Sequence, residues 1–409
     1  MNYEQTVLID ILKKSINNEK ITDLRINSDA WENIIKEIHE QNIDSLAYYT
    51  LDKNIIRTIN SDLREEWKRK VFTSNMIQIK HTREIKQVLS RFNEEGVEAI
   101  VLKGLVLRKL YHKPELRSMS DADILVKKEQ YSKAVECLNE CGYTFNGHSN
   151  DIHEAFVKPN TLEIELHHKL GNSGFIGVDF SQFEENLWNN SIETEIEGVI
   201  TKTLSNKDFI IHQILHMATH TKYYGFGIRL IYDFALFIKE NYDDINWAEL
   251  KNELCRYELL KYTEGIMMVT NKLLDIEIPE IFLNNNITKK DIDIFIDNIM
   301  NVGVHGKKQL NPDYDILFKS RNHHKEERAI LKRIILFICP KGEYLLMKYP
   351  NKYEYIRKNS YFIIFAWVDR FINQYLIKYG LFNMIKIMVN SIKILKLRIS
   401  VIETFELPY

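Results

Sequence analysis

The sequence predicts an α+β fold in which a small mixed-sheet domain is embedded between an N-terminal and a C-terminal helical region. Two observations support this prediction. Apolar residues recur at helical spacing through most of the chain, whereas short apolar runs and strictly alternating segments, which are typical of strands, cluster in its second quarter. The predicted regions are residues 1–93, 94–190 and 191–409.

The N-terminal region, residues 1–93, is predicted to be helical throughout. One apolar helix face is formed by Val7, Leu8, Ile11 and Leu12, and a longer helix is predicted over residues 76–92. The charged residues of these helices fit solvated faces, and none of them is a catalytic candidate.

The composition indicates an ordinary globular protein. The length of 409 residues is enough for two or three packed domains. Hydrophobic residues make up 45% of the chain and charged residues 27%. The formal net charge of -2 gives no basic field, which argues against a nucleic-acid partner. The four cysteines form no CxxC pair, the N-terminus lacks a secretory leader pattern, and no apolar run approaches the roughly 20 residues of a transmembrane helix. We therefore expect a cytoplasmic protein without a transmembrane segment.

The central region begins with a strand that ends at a lysine-glycine bend. Residues 99–102 form an apolar run, which Lys103 and Gly104 interrupt. A helix is predicted over residues 104–111, and its first turn would offer free N–H groups and a positive dipole end to phosphate. Lys103 is therefore a candidate phosphate contact, and the alternative is a surface lysine at a strand end.

Two carboxylates open the next apolar run. In an extended chain, Asp121 and Asp123 project to the same side, while Ala122 and Ile124 face a core. Two neighbouring carboxylates repel each other unless a cation lies between them, and Mg²⁺ commonly takes one or two carboxylates together with substrate phosphates. The pair therefore predicts a metal-nucleotide site, and the alternative is a pair of solvated turn residues.

A third carboxylate follows on a predicted hairpin. After a helix predicted over residues 129–140, segments 153–158 and 162–167 are expected to pair around a turn at Pro159 and Asn160. The second segment alternates strictly between apolar and polar residues, so Glu163 and Glu165 share one face. Either residue could join the paired aspartates, and either could instead face solvent.

Four short stretches carry a family resemblance: VLKG at 101–104, LRSMSDADILV at 116–126, CGY at 141–143 and EIELHHKL at 163–170. Together they resemble an uncharacterised bacterial nucleotidyltransferase family of the polymerase-β-like nucleotidyltransferase superfamily. The resemblance is specific over roughly residues 99–168. It implies that the central region is a nucleotidyltransferase catalytic domain.

The resemblance also implies roles for individual residues. The implied catalytic and metal-binding residues are Asp121, Asp123 and Glu165. The implied nucleotide-binding residues are Lys103, Gly104, Arg117, Ser118 and His167. Glu165 is preferred to Glu163 because its acidic-aliphatic-histidine ending matches the family. For Arg117 the alternative is an ion pair with one of the aspartates, and for His167 it is a histidine satisfied by a nearby carboxylate.

The implied activity is transfer of a nucleoside monophosphate, with AMP as the expected group, from an NTP to an acceptor. The acceptor is expected to be a hydroxyl or similar group of a small molecule, peptide or protein in a biosynthetic pathway. Two Mg²⁺ ions are the implied cofactors. The alternative is a catalytically silent relative that serves as a binding or scaffold component of a biosynthetic complex.

The C-terminal region, residues 191–409, is predicted to be helical and contributes two further patterns. His212, His216 and His220 recur every four residues and so line one helix face. We expect this face to pack against the catalytic domain rather than to bind zinc, because the glutamate of the zinc-protease motif is missing. Arg229 and Asp233 are also four residues apart, which is the spacing of an intrahelical ion pair.

Overall fold

The computed structural model describes residues 1–149, 151–170, 178–223, 225–303, 339–349 and 351–408. The chain forms two compact units. The first comprises Met1–Ala218, Ile228–Thr288 and Glu406–Pro408, and the second comprises Thr219–Gly227 and Lys289–Phe405. The division into three regions that the sequence suggested stays a prediction.

Helices account for most of the described residues. In chain order they are α1 (Tyr3–Ile16), α2 (Trp31–Glu40), α3 (Asp44–Thr50), α4 (Lys53–Thr58), α5 (Ser61–Glu94), α6 (Gly104–Leu107), α7 (Tyr131–Glu140), α8 (Ser181–Asn190), α9 (Asn206–Tyr223), α10 (Ile228–Asn241), α11 (Trp247–Arg256), α12 (Leu260–Leu274), α13 (Lys289–Val302), α14 (Gly342–Lys348), α15 (Tyr355–Lys358), α16 (Ile363–Asp369) and α17 (Ile377–Thr404). Within the described ranges, no helix combines the length and the apolarity that crossing a bilayer would require.

The strands of the described residues form one mixed sheet of seven strands. They are β1 (Ala99–Val101), β2 (Asp121–Val126), β3 (Thr144–Ser149), β4 (His153–Val157), β5 (Glu163–His167), β6 (Ile192–Ile196) and β7 (Val199–Thr203). Their order across the sheet is β3-β4-β5-β2-β1-β7-β6. Strands β2 and β5 run parallel at the centre, and β4 pairs antiparallel with β5 as the predicted hairpin requires. The predicted α+β class with a small mixed sheet is therefore confirmed.

The start of the predicted C-terminal helical region is wrong, because residues 192–203 form a hairpin of the sheet. Ile196 pairs with Val199, which leaves a two-residue loop of Glu197 and Gly198. Both loop residues have positive φ, 53° and 84°, as the tight turns of two-residue hairpins require. Strand β7 then extends the sheet by pairing in parallel with β1.

One face of the sheet packs against the long helix α5. Its apolar residues Ile85, Val88, Leu89 and Phe92 belong to one buried core with residues of β1, β2, β5 and α7. The strand residues of this core include the alternate positions Ala122 and Ile124 of β2 and Ile164 and Leu166 of β5. Each large apolar side chain buried here stabilises the fold by about 1.5–3 kcal/mol. Because side chains alternate along a strand, the acidic residues between these positions must project to the opposite face.

Candidate active site

The three predicted carboxylates lie together on two neighbouring strands. In the parallel pairing of β2 with β5, Asp121 is opposite Glu163 and Asp123 is opposite Glu165. All four side chains share the sheet face that points away from the core around α5. Asp121 is exposed, whereas only 5% of Asp123 is accessible. The alternation along β2 therefore places an exposed and a buried carboxylate on one face, and the register adds the two glutamates of β5 beside them.

Asp123 is surrounded by groups that stabilise its charge. Its Oδ1 atom lies 2.7 Å from the Lys103 ammonium nitrogen and 3.0 Å from His167 Nε2. Burial opposes ionisation, but the Lys103 charge and the His167 hydrogen bond outweigh it and hold the pKa of Asp123 well below its usual value. Desolvation by the neighbouring side chains and then the charge of Asp123 raise the pKa of Asp121. Environment thus pushes the pKa values of the two carboxyl groups in opposite directions, which is common at functional sites.

The lysine-glycine bend has a special backbone geometry. Lys103 has φ 41° and ψ -112°, which a residue with a side chain seldom adopts. This bend directs the Lys103 side chain to the carboxylates. The helix that begins at Gly104 is only four residues long, and the sequence prediction of a helix to residue 111 overestimated it. A short 3₁₀ helix, Arg108–Leu110, continues it.

Three of the N–H groups at the start of this helix, where the sequence predicts a phosphate site, already have acceptors. The N–H of Leu105 donates to the carbonyl of Leu102, and the N–H groups of Val106 and Leu107 both donate to the carbonyl of Lys103. These amides are therefore satisfied within the chain, so a phosphate would have to displace existing hydrogen bonds. Lys103 itself is the better candidate for phosphate contact.

Glu165, rather than Glu163, contacts the histidine and aspartate cluster. Its Oε2 lies 3.4 Å from His167 Nε2, and its Oε1 lies 3.5 Å from His153 Nε2. Glu163 instead accepts a hydrogen bond of 2.9 Å from Asn146. The register places both glutamates on one face, and their partners distinguish them.

Two histidines near the carboxylates were not among the sequence candidates for the site. His153 pairs across the hairpin with His167, and the two rings lie 4.8 Å apart. The signal was present, because both residues stand equally far from the predicted turn at residue 160. His212 of α9, only 2% exposed, has a pKa depressed to about 3 by burial and then by the Lys103 charge. Of the three histidines predicted to line one helix face, His212 is therefore a buried, neutral imidazole beside the site.

The two residues predicted just before β2 contact helix α10 instead of the aspartates. The Arg117 guanidinium donates two hydrogen bonds to Asp233, of 2.9 and 2.7 Å, and Tyr111 donates a third of 2.7 Å to the same carboxylate. Arg117 and Asp233 are both buried. The guanidinium of Arg229 donates to the carbonyl and the hydroxyl of Ser118. Asp233 therefore pairs with Arg117, 116 residues away in sequence, rather than with its helix neighbour Arg229.

The segment between the bend and β2 is also held from the other side. On α5, the side-chain amide of Gln78 donates to the Met119 carbonyl at 3.1 Å and accepts from the Met119 N–H at 3.0 Å. Gln78 is buried, and this pair of hydrogen bonds gives its amide nitrogen and its amide oxygen one partner each on the backbone of a single residue. Helices α5 and α10 together fix the residues that lead into the carboxylate strand.

Comparison with known proteins decides the family. The model of an uncharacterised nucleotidyltransferase family matches residues 27–275, which is more than half of the chain and includes every side chain of the candidate active site. The protein belongs to this nucleotidyltransferase family. No curated protein matches the chain.

Three solved structures resemble parts of this nucleotidyltransferase. The antibiotic-resistance factor ANT(2'')-Ia aligns at 12% identity and a TM-score of 0.33, over 44% of this chain and 90% of its own. The lincomycin-bound lincosamide antibiotic adenylyltransferase LnuA aligns at 13% identity and a TM-score of 0.28, over 38% of this chain and 94% of its own. An antigenic nucleotidyltransferase-like protein from Paracoccidioides brasiliensis aligns at 13% identity and a TM-score of 0.32, over 51% of this chain and 99% of its own.

We predict that Gly104→Ala destabilises this nucleotidyltransferase by about 1–3 kcal/mol, the usual cost of overpacking. A Cβ atom at Gly104 would lie 2.6 Å from Arg117 Nη1 and 2.8 Å from Met119 Sδ. The guanidinium cannot move away freely because it is fixed on Asp233. Urea unfolding measures the effect, with the larger Gly104→Ser expected to cost more than alanine. An unchanged or increased free energy of unfolding would show that the contact is not tight, since alanine otherwise reduces the entropy of the unfolded chain.

Proposed function

We propose that this protein is a metal-dependent nucleotidyltransferase that moves a nucleoside monophosphate, with AMP as the expected group, from an NTP to an acceptor. The acceptor is a hydroxyl or similar group of a small molecule, peptide or protein in a biosynthetic pathway. The observation that carries this proposal is the register of β2 with β5, which aligns Asp121 and Asp123 beside Glu165 in a member of the nucleotidyltransferase family.

The carboxylates fit a divalent cation. Asp121, Asp123 and Glu165 project from one face, and the raised pKa of Asp121 has desolvation as its first cause and charge repulsion from Asp123 as its second. Oxygen ligands of this kind are what Mg²⁺ prefers. A bound divalent ion would supply positive charge to the α-phosphate and would lower the pKa of the acceptor hydroxyl. We assign the metal ligands to Asp121, Asp123 and Glu165.

Lys103 and His167 supply the remaining polar groups of the proposed nucleotide site. The Lys103 ammonium, now 2.7 Å from Asp123, would transfer its contact to the triphosphate as the negative charge of the nucleotide arrives. His167 Nε2, hydrogen-bonded to Asp123, would orient that carboxylate. The acceptor hydroxyl gives its proton to a carboxylate of the site, for which Glu165 is the candidate base. Its oxygen forms a bond to the α-phosphorus, the bond from the α-phosphorus to the bridging oxygen breaks, and pyrophosphate leaves with that electron pair.

Arg117, Ser118 and Gly104 have a different place in the proposal. Arg117 is bound to Asp233 and Ser118 to Arg229, so both position the segment that enters β2. Gly104 allows that segment to approach the bend closely. Direct contact of these three residues with nucleotide stays a prediction, and we propose that their first role is to position β2.

The proposal is tested by incubating the protein with each α-labelled NTP, Mg²⁺ or Mn²⁺, and hydroxyl-bearing acceptors of the three classes. We expect metal-dependent release of pyrophosphate and a labelled acceptor whose mass increases by one nucleotide unit. Equilibrium dialysis measures NTP binding in parallel. NTP binding without transfer to any acceptor would instead identify the catalytically silent alternative, and absence of both would overturn the nucleotide site altogether.

A further inference from the structure

Two imidazoles and a carboxylate form a compact group at the edge of the proposed nucleotide site. His153, Glu165 and His167 each offer one ligand atom, and these atoms all lie within 4.8 Å of one another. The nearest distances are 3.4 Å from His167 Nε2 to Glu165 Oε2 and 3.5 Å from His153 Nε2 to Glu165 Oε1. One metal ion could therefore contact all three residues after small side-chain movements.

The hairpin holds these side chains on one face. In the antiparallel pairing of β4 with β5, His153 is opposite His167 and Ala155 is opposite Glu165. Directly opposed residues of a sheet project to the same side, and so do residues two apart along a strand. Ala155 has only a methyl group, so it leaves room for the Glu165 carboxylate between the two imidazoles. The three ligands are thus placed by the rigid strands of the sheet.

The surroundings of His167 favour metal binding through Nε2. Its other ring nitrogen, Nδ1, lies 3.3 Å from the carbonyl oxygen of Lys169. A ligating histidine commonly donates its second N–H to a backbone carbonyl, and a metal ion at Nε2 would replace the proton that Nε2 now donates to Asp123. His167 is also only 4% exposed, so its ring has a defined orientation.

The donor set differs from that of a pure carboxylate site. Mg²⁺ takes oxygen ligands, whereas imidazole nitrogen suits first-row transition metals, and two histidines with one carboxylate are a common set for such ions. Asp121 and Asp123 provide only oxygen ligands, which fit Mg²⁺ as well as they fit a transition-metal ion. The imidazoles of His153 on β4 and His167 on β5 introduce a preference for a transition-metal ion over Mg²⁺.

We propose that His153, Glu165 and His167 form a binding site for one first-row transition-metal ion, such as Mn²⁺, Co²⁺ or Zn²⁺, next to the aspartate pair. Asp123, whose Oδ1 lies 3.0 Å from His167 Nε2, borders this site. The use of this ion to activate the acceptor rests on the proposed nucleotidyl transfer. The binding of the ion does not, so it can be tested without nucleotide.

The test uses tag-free, chelator-treated full-length protein and Co²⁺ or Mn²⁺ alone. We expect one equivalent of Co²⁺ to bind with a visible absorption band of a nitrogen-containing ligand set. We also expect Mn²⁺ to show ¹⁴N hyperfine coupling from imidazole in pulsed electron paramagnetic resonance. His153→Gln is expected to weaken Co²⁺ binding by at least about 100-fold, because loss of even an outer-shell partner typically costs 10- to 100-fold.

A matched control is the neighbouring imidazole. His168 directly follows strand β5, and its ring contacts Tyr131 of α7 rather than the three proposed ligands. His168→Gln is therefore expected to leave Co²⁺ affinity and the ¹⁴N coupling unchanged. Co²⁺ bound without the absorption band of a nitrogen-containing ligand set, or equal Co²⁺ affinity in His153→Gln and the native protein, would overturn the site. The metal-binding experiment contains no NTP, so its failure would not contradict the proposed nucleotidyl transfer. Failure of nucleotidyl transfer would likewise not contradict metal binding at this site.

Discussion

Replacement of Asp121 by asparagine is expected to lower nucleotidyl transfer by about 1,000-fold or more while the protein stays folded. A metal ion at a transferring phosphoryl group supplies several kcal/mol of charge stabilisation, and each 1.36 kcal/mol corresponds to a factor of ten in rate. Asp121 is the exposed member of the pair, and desolvation and then the charge of Asp123 disfavour its ionised form more than Lys103 favours it. Loss of that charge therefore removes a repulsion and is not expected to cost stability.

Glu163→Gln is the matched control for this prediction. Glu163 stands opposite Asp121 on the same face of the sheet, but its carboxylate is hydrogen-bonded to Asn146. The rate of pyrophosphate release at saturating NTP and metal should change by less than about tenfold in this variant, since no metal-linked charge stabilisation is lost. Equal losses in the two variants, or near-native activity of Asp121→Asn, would remove Asp121 from the metal site.

Replacement of Asp233 by alanine is expected to lower the free energy of unfolding by about 3–5 kcal/mol. The change leaves the buried Arg117 guanidinium without its counter-charge and deprives the Tyr111 hydroxyl of its acceptor. An uncompensated buried charge is far more costly than the net value of the intact pair. Urea unfolding followed by circular dichroism measures the loss.

Glu240→Ala on the same helix provides the control, because Glu240 is exposed. A surface substitution of this kind usually changes stability by less than about 0.5 kcal/mol. The double variant Arg117→Met/Asp233→Leu should recover much of the lost stability, since a buried pair can often be replaced by apolar residues of similar volume. A loss below about 1 kcal/mol in Asp233→Ala would contradict the structural role assigned to the pair.

The strands that carry the carboxylates could be predicted because their signals are local. Alternation of apolar and polar residues in β2 and β5 placed Ala122 and Ile164 in the core and the acidic residues on the opposite face. Alternation cannot distinguish Glu163 from Glu165, however, because residues two apart are equivalent in a strand. Their different partners, Asn146 and His167, depend on the tertiary structure.

The features that sequence reasoning missed have two different causes. The β6-β7 hairpin was missed although its alternation and the Glu197-Gly198 turn are local signals, because the helical pattern after residue 205 was extended too far back. The pairing of Arg117 with Asp233 could not be predicted from one sequence, because the partners are 116 residues apart and a nearer arginine had the spacing of an intrahelical pair.

The most direct test of the account is a crystal structure of the protein with Mn²⁺ and an NTP analogue that cannot be cleaved between the α- and β-phosphates. Anomalous scattering locates Mn²⁺ independently of the refined coordinates. We expect a peak bound by carboxylate oxygens of Asp121 and Asp123 and by the triphosphate, with the Lys103 ammonium turned from Asp123 to a phosphate. A nucleotide bound elsewhere, or anomalous density that avoids both aspartates, would contradict the assignment of this face of the sheet as the site of nucleotidyl transfer.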